Sequence, residues 1–210
     1  MPRRSRRISL DKEFKAAISD LTHQEKDKLL FRLLAKEPEL VEKLRFEIME
    51  ESDSLDDRRE ALEQRILRKL RDEAEDFYSP GYLLMDLRAL SGDINRHVKA
   101  TKDKYGEIAL NLTMLNEALA LHGQRIMDAS WGKAYTLCEY IVKRVIKIYK
   151  LLRQQHPDLV LDFGADLRAL GQRIGRVDHL MRICIQLGLD VNFLLQERLP
   201  PDEDDFWTYA

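Results

Sequence analysis

Apolar residues recur at spacings of three and four along nearly the whole chain, and alternating runs of Val, Ile, Thr and aromatics are absent. That pattern predicts an all-α protein. Thr22-His23-Gln24-Glu25 reads as a capping box opening a helix to about Ala35, with Leu29, Leu30, Leu33 and Leu34 on one face. Lys36-Glu37-Pro38 turns the chain into a second helix with Leu40, Val41, Leu44 and Ile48 inward, so the two form a hairpin. A short helix from Leu10 to Ile18, anchored by Phe14 and Ile18, precedes them. From Leu55 to Phe77 a narrow stripe of Leu55, Leu62, Ile66, Leu70, Ala74 and Phe77 runs along a helix otherwise crowded with charge. This is the outer helix of a stack or one strand of a dimer seam.

Prolines mark helix entries, because the first turn has no intrahelical acceptor for the missing N–H. Pro38, Pro80 and Pro157 sit at such starts, and Pro200-Pro201 closes the last helix. Ser79-Pro80 opens a segment with Leu83, Leu84, Leu87 and Leu90, continued by Ile94 and Val98 after a break at Ser91-Gly92. Helices near Tyr105 to Leu121, Ser130 to Arg153 and Pro157 to Ile174 follow. Arg176 to Leu187 turns Val177, Leu180, Met181 and Cys184 inward, and Asp190 caps a last helix ending at Arg198. About ten helices with short connections predict stacked antiparallel pairs, as an irregular α-solenoid or a multi-helix bundle. The expected organisation is a basic flexible tail (1–8), a hairpin plus charged helix (9–77), a helical bundle packed on it (78–199) and an acidic aromatic tail (200–210).

The segment from Asp20 to Ile48, with Leu29-Leu30, Leu33-Leu34 and Glu37-Pro38-Glu39-Leu40-Val41, resembles the opening helical hairpin of some uncharacterised all-helical bacterial families. The resemblance implies a helical-repeat-like fold and carries over no catalytic residue.

With 210 residues and 44% apolar content the chain is long enough for a real core, and two cysteines are too few for a disulfide scaffold. The formal charge of −2 excludes a globally basic coat protein. Charge is concentrated at the ends. Residues 1–10 hold four Arg and no acid, residues 202–205 are Asp-Glu-Asp-Asp, and the rest holds 31 basic and 33 acidic residues. Ser5-Arg6-Arg7-Ile8-Ser9-Leu10 superficially fits a twin-arginine export signal, but Asp11, Lys12 and Glu13 stand where an apolar stretch would begin. No run approaches the ~20 apolar residues of a membrane span. A cytoplasmic protein without membrane contact is expected.

Candidate chemistry is sparse. His23, His97, His122, His156 and His179 form no paired metal motif, and Cys138 and Cys184 lie on apolar helix faces as buried structural thiols. Asp93 and His97, four apart, read as an exposed helix pair, or as a carboxylate orienting an imidazole. No Gly-x-Ser-x-Gly elbow or phosphate loop occurs, and no cofactor is expected. The long helix before Arg153 carries Lys143, Arg144, Lys147, Lys150 and Arg153 without an acid after Lys143. Lys143, Lys147 and Lys150 fall on one face while Val145 and its apolar neighbours fall on the other. That edge is either a solvated stripe neutralised by neighbouring acids or a groove for an acidic ligand. Phe206, Trp207 and Tyr209 follow the acidic block and either fold back into a groove of the same chain or dock on a partner. Arg3, Arg4, Arg6 and Arg7 could neutralise phosphates without reading sequence.

The expected function is therefore non-enzymatic: an interaction or scaffold protein recognising another protein or a second protomer through Phe206, Trp207, Tyr209 and the Lys143–Lys150 edge. An alternative is a nucleic-acid-associated regulator using the Arg arm and that edge. An enzyme with a site assembled across helices ranks third.

Overall fold

The computed structural model describes residues 9–49, 53–75, 79–156 and 158–200. Eleven helices and no strand occur among them. Their contacts divide the chain into two units, α1 to α3 before residue 50 and α4 to α11 after it.

In the first unit, α1 (Lys12–Asp20) is capped by Asp11, whose carboxylate accepts from the Phe14 N–H at 2.7 Å. For α2 (His23–Leu34) the capping box forms as expected: the Thr22 hydroxyl accepts from the Glu25 amide, and the Glu25 carboxylate accepts from the Thr22 N–H at 2.9 Å. Helix α3 (Pro38–Met49) follows the Glu37-Pro38 turn. Local side-chain caps thus mark the starts of α1 and α2. The expected inward faces are another matter. Phe14, Leu30, Leu33, Leu40 and Ile48 are exposed, and neither α1 nor α2 buries any residue. Three helices within about 40 residues enclose too little volume to bury all their leucines at once.

The second unit opens with α4 (Asp53–Glu75), whose Ile66 and Leu70 are fully buried. It is an outer helix laid on α6, so the chain divides before α4 rather than after it. Helix α5 (Pro80–Thr101) runs unbroken, without the interruption expected at Ser91-Gly92. Ser91 faces the core, where its hydroxyl lies 2.6 Å from that of Tyr140, and an added Cβ at Gly92 would meet only the tip of Arg96. Lys102, left-handed at φ 63°, ends α5.

Helix α6 (Lys104–Asp128) is the axis of the unit. It packs on α4, α5, α7 (Trp131–Arg153) and α9 (Gly164–Gly175). These convergent contacts make a multi-helix bundle, in which one helix serves many neighbours, and not the nearest-neighbour stack of a solenoid. The expected helix from Pro157 is two: α8 (Asp158–Asp162) and α9 meet at Phe163, which is buried with its ring 4.9 Å from that of Tyr105. Pro157 itself lies outside the described residues. Last come α10 (Asp178–Gln186) and α11 (Val191–Leu195), separated by a turn whose Gly188 takes φ 71°, open to glycine at no steric cost. Val145 has no exposed surface, and Cys138 and Cys184 are buried free thiols, as expected. No described helix is long and apolar enough to cross a membrane.

Candidate interaction site

On the first unit the exposed apolar side chains are large and close in sequence. Phe31 is 66% exposed, Leu33 53% and Ile48 76%. Leu29, Leu30, Phe31, Leu33 and Leu34 occupy roughly 200° of the α2 circumference at about 100° per residue, too wide an arc for one neighbouring helix to cover. On α3, Leu40, Val41, Leu44 and Ile48 keep to a stripe of about 100°, open at both ends through Leu40 and Ile48.

The second unit carries a buried polar seam between α4, α5 and α6. Asp103 caps α6 through the Gly106 N–H at 2.7 Å, and its other oxygen receives Arg59 Nε at 2.8 Å and faces His97 Nε2 at 3.2 Å. Burial alone would push the Asp103 carboxyl up, but hydrogen bonds from His97, Arg59 and the Gly106 amide outweigh it and hold the group well below the usual carboxylate range. The same pairing raises Arg59. The expected Asp93–His97 pair is not made. Asp93, nearly buried, binds Arg96 and lies 3.1 Å from Arg65, while His97 turns to Asp103, six residues on. The left-handed Lys102 folds the chain back so that Asp103 approaches the last turn of α5, a juxtaposition that helical spacing does not reveal. Each member of the seam is held by another member. No group of three or more His, Cys, Asp or Glu among the described residues can hold a metal ion.

The basic edge of α7 is partly neutralised. Lys143 pairs with Glu139 at 3.1 Å, and Lys147 reaches across to Glu107 of α6 at 2.7 Å and to Asn95 of α5 at 3.3 Å. Lys150 is exposed, and Arg153 donates through Nη2 to the Pro200 carbonyl at 2.7 Å. Arg144 stacks on the Tyr140 ring and donates to its hydroxyl at 2.8 Å. Arg3, Arg4, Arg6, Arg7, Phe206, Trp207 and Tyr209 lie outside the described residues.

A groove of about 810 Å³ opens between α9, α10 and α11. Gly171, Gly175, Met181, Ile185, Leu189 and Leu195 form its apolar wall, with Ile185 77% exposed. Cys184 lines its floor, where burial pushes the thiol up to about 12 and keeps it protonated and inert. Its shape depends on small residues. A Cβ at Gly171 would come within 2.9 Å of the Leu194 Cβ, so α11 packs there directly on the α9 backbone, whereas a Cβ at Gly175 would meet nothing. Sequence reading missed this groove because it assigned Val177, Leu180, Met181 and Cys184 to the core and left Ile185, one step around the helix, unremarked. An apolar residue at the margin of an otherwise complete inward face was the available signal.

Compared with protein families, with curated proteins and with solved structures, the chain matches none.

Proposed function

We propose that this protein works by binding another protein, or a second protomer, through the helices of its first unit. The observation that carries this reading is the exposure of Phe14, Leu30, Phe31 and Leu33 on the capped helices α1 and α2, and of Leu40 and Ile48 on α3. Helices of 9 to 12 residues are marginal in water even for good sequences. Apolar area of this extent on such short elements is the kind of surface that partners cover. The Leu and Phe side chains would supply the buried anchors, and the surrounding Lys and Glu a polar rim.

The test pairs Phe31→Glu with Leu33→Glu, both at exposed positions that should leave folding intact. Light scattering on the intact protein, and affinity capture followed by a nuclease step, identify the partner. Each substitution should weaken that association on the order of tenfold or more, as expected for an anchor worth ~2 kcal/mol, with an unchanged melting temperature. A monomer whose captured proteins are the same with and without the substitutions would overturn the reading. Loss of all captured material on nuclease treatment would favour the nucleic-acid alternative instead.

A further inference from the structure

We infer that the seam between α5 and α7 holds an oxyanion site, built from Arg88 and Arg144 around Tyr140, that takes a phosphate monoester. The site lies in the second unit and goes beyond the association proposed for the first. Its base is fixed by hydrogen bonds. Tyr140 reaches from α7 to α5, where its hydroxyl lies 2.6 Å from that of buried Ser91 and donates to the Leu87 carbonyl at 3.3 Å. Arg144, one turn further along α7, donates to the same hydroxyl through Nη2 at 2.8 Å, and its guanidinium carbon stands 5.3 Å from the ring centroid. Arg88 of α5 approaches that ring too, at 5.8 Å.

Charge sets the pair apart. Arg59, Arg65, Arg71, Arg96 and Arg168 of the same unit each pair with a carboxylate, whereas Arg88 and Arg144 meet none among the described residues. Two guanidinium ions gathered at one ring repel each other until an anion joins them, and an aromatic face compensates a surface cation only weakly. Each guanidinium presents a planar fork of N–H donors, of which Arg144 commits one to Tyr140. The remaining donors have room for acceptor oxygens.

The ligand class follows from charge and geometry. A carboxylate carries a single charge on a single pair of oxygens, which one arginine satisfies. A phosphate monoester near neutral pH carries close to two charges on three terminal oxygens and accepts from both forks. A nucleic-acid backbone asks instead for a row of cations. Along α7 that row is already occupied: Lys143 is held by Glu139 at 3.1 Å, and Lys147 crosses the seam to Asn95 at 3.3 Å and to Glu107 at 2.7 Å. Because Arg144 is fixed on Tyr140 beforehand, little side-chain freedom is lost when an anion binds it.

The test is calorimetric titration of the full chain, in buffer free of phosphate and sulfate, with inorganic phosphate and with a phosphoserine peptide as probes. Expected is saturable binding at one site per chain, absent for the unphosphorylated peptide. Arg88→Gln and Arg144→Gln should each weaken it about tenfold or more, and Arg144→Lys, which keeps the charge but loses the fork, several-fold. Arg88 is exposed, so its variant should melt like the parent and keeps the test decisive if Arg144→Gln is less stable through loss of the Tyr140 contact. Lys143→Gln should leave the affinity unchanged. Tighter binding of the peptide would place the monoester on a polypeptide, and equal affinity would place it on a free small ligand. Failure of both probes to bind at millimolar concentration would overturn the inference. So would an equal loss in Lys143→Gln and the arginine variants, which would mean a diffuse basic surface, or competition by single-stranded DNA whose affinity grows with its length, which would mean a nucleic-acid track.

Discussion

Val145→Asp is expected to abolish the cooperative helical melt of the second unit. Val145 sits on α7 with no exposed surface, among Ile141, Val142, Ile146, Ile148 and Tyr149, which are likewise buried. This helix is pressed between α5, α6 and α10. A carboxylate introduced there must either remain charged without a partner or take up a proton, and both routes cost several kcal/mol. Whole domains are stable by only about 5–15 kcal/mol, so one such change removes much of the margin. Two controls separate charge burial from shape. Val145→Thr keeps the volume, adds one hydroxyl and should cost ~1–3 kcal/mol. Lys143→Gln, on the exposed edge of the same helix, should fall within about 0.5 kcal/mol of the parent. Thermal and urea melts followed by circular dichroism read all three. At about 2–4 °C per kcal/mol for a chain of this size, an Asp variant melting within a few degrees of the parent would mean that the face is not buried.

That face was legible in the sequence because it spans 23 residues: over six turns the apolar and basic positions of α7 separate cleanly, and tertiary packing has little freedom to choose a different side. The same logic failed for α2 and α3. Their apolar patterns are as regular, but periodicity shows only that a face wants cover and says nothing about whether the chain has enough neighbouring mass to supply it. Helix ends were readable where a side chain acts on its own backbone, as at Thr22 and Asp190. They were misread where the decision is tertiary. Ser91-Gly92 looks like a break but packs as helix interior because Tyr140 gives Ser91 a partner, and the stretch before Ile174 divides where Phe163 is pulled against Tyr105. The Asp103 seam joins residues 44 positions apart, Arg59 to Asp103, and no local spacing announces it.

Asp103→Ala should be the most damaging polar substitution in the bundle, and its companion Asp103→Asn should show why. The carboxylate does two things at once. One oxygen caps α6 through Gly106, and the other holds Arg59 and His97 in a nearly dry pocket. Loss of a cap costs ~0.5–2 kcal/mol. Stranding a buried cation costs up to ~3–5 kcal/mol, less here because Arg59 is 23% exposed and can recover some water. Together the Ala variant should lose about 3 kcal/mol, whereas Asn retains a cap acceptor and loses mainly the charge. Gly106→Ala offers an independent route to the same contact, because the added Cβ would collide with the Asp103 carboxylate, which His97 and Arg59 prevent from moving aside. Acid titration then isolates the charge. A carboxyl held below its ordinary value of about 3.9 contributes stability that is complete above that pH and is lost as pH falls toward the folded-state value. The stability difference between the parent and Asp103→Asn should therefore stay constant from neutral pH down to about 4 and shrink in more acid solution. A difference that persists undiminished near pH 2 would mean that the ionised carboxylate of Asp103 is not what holds Arg59 and His97 in place.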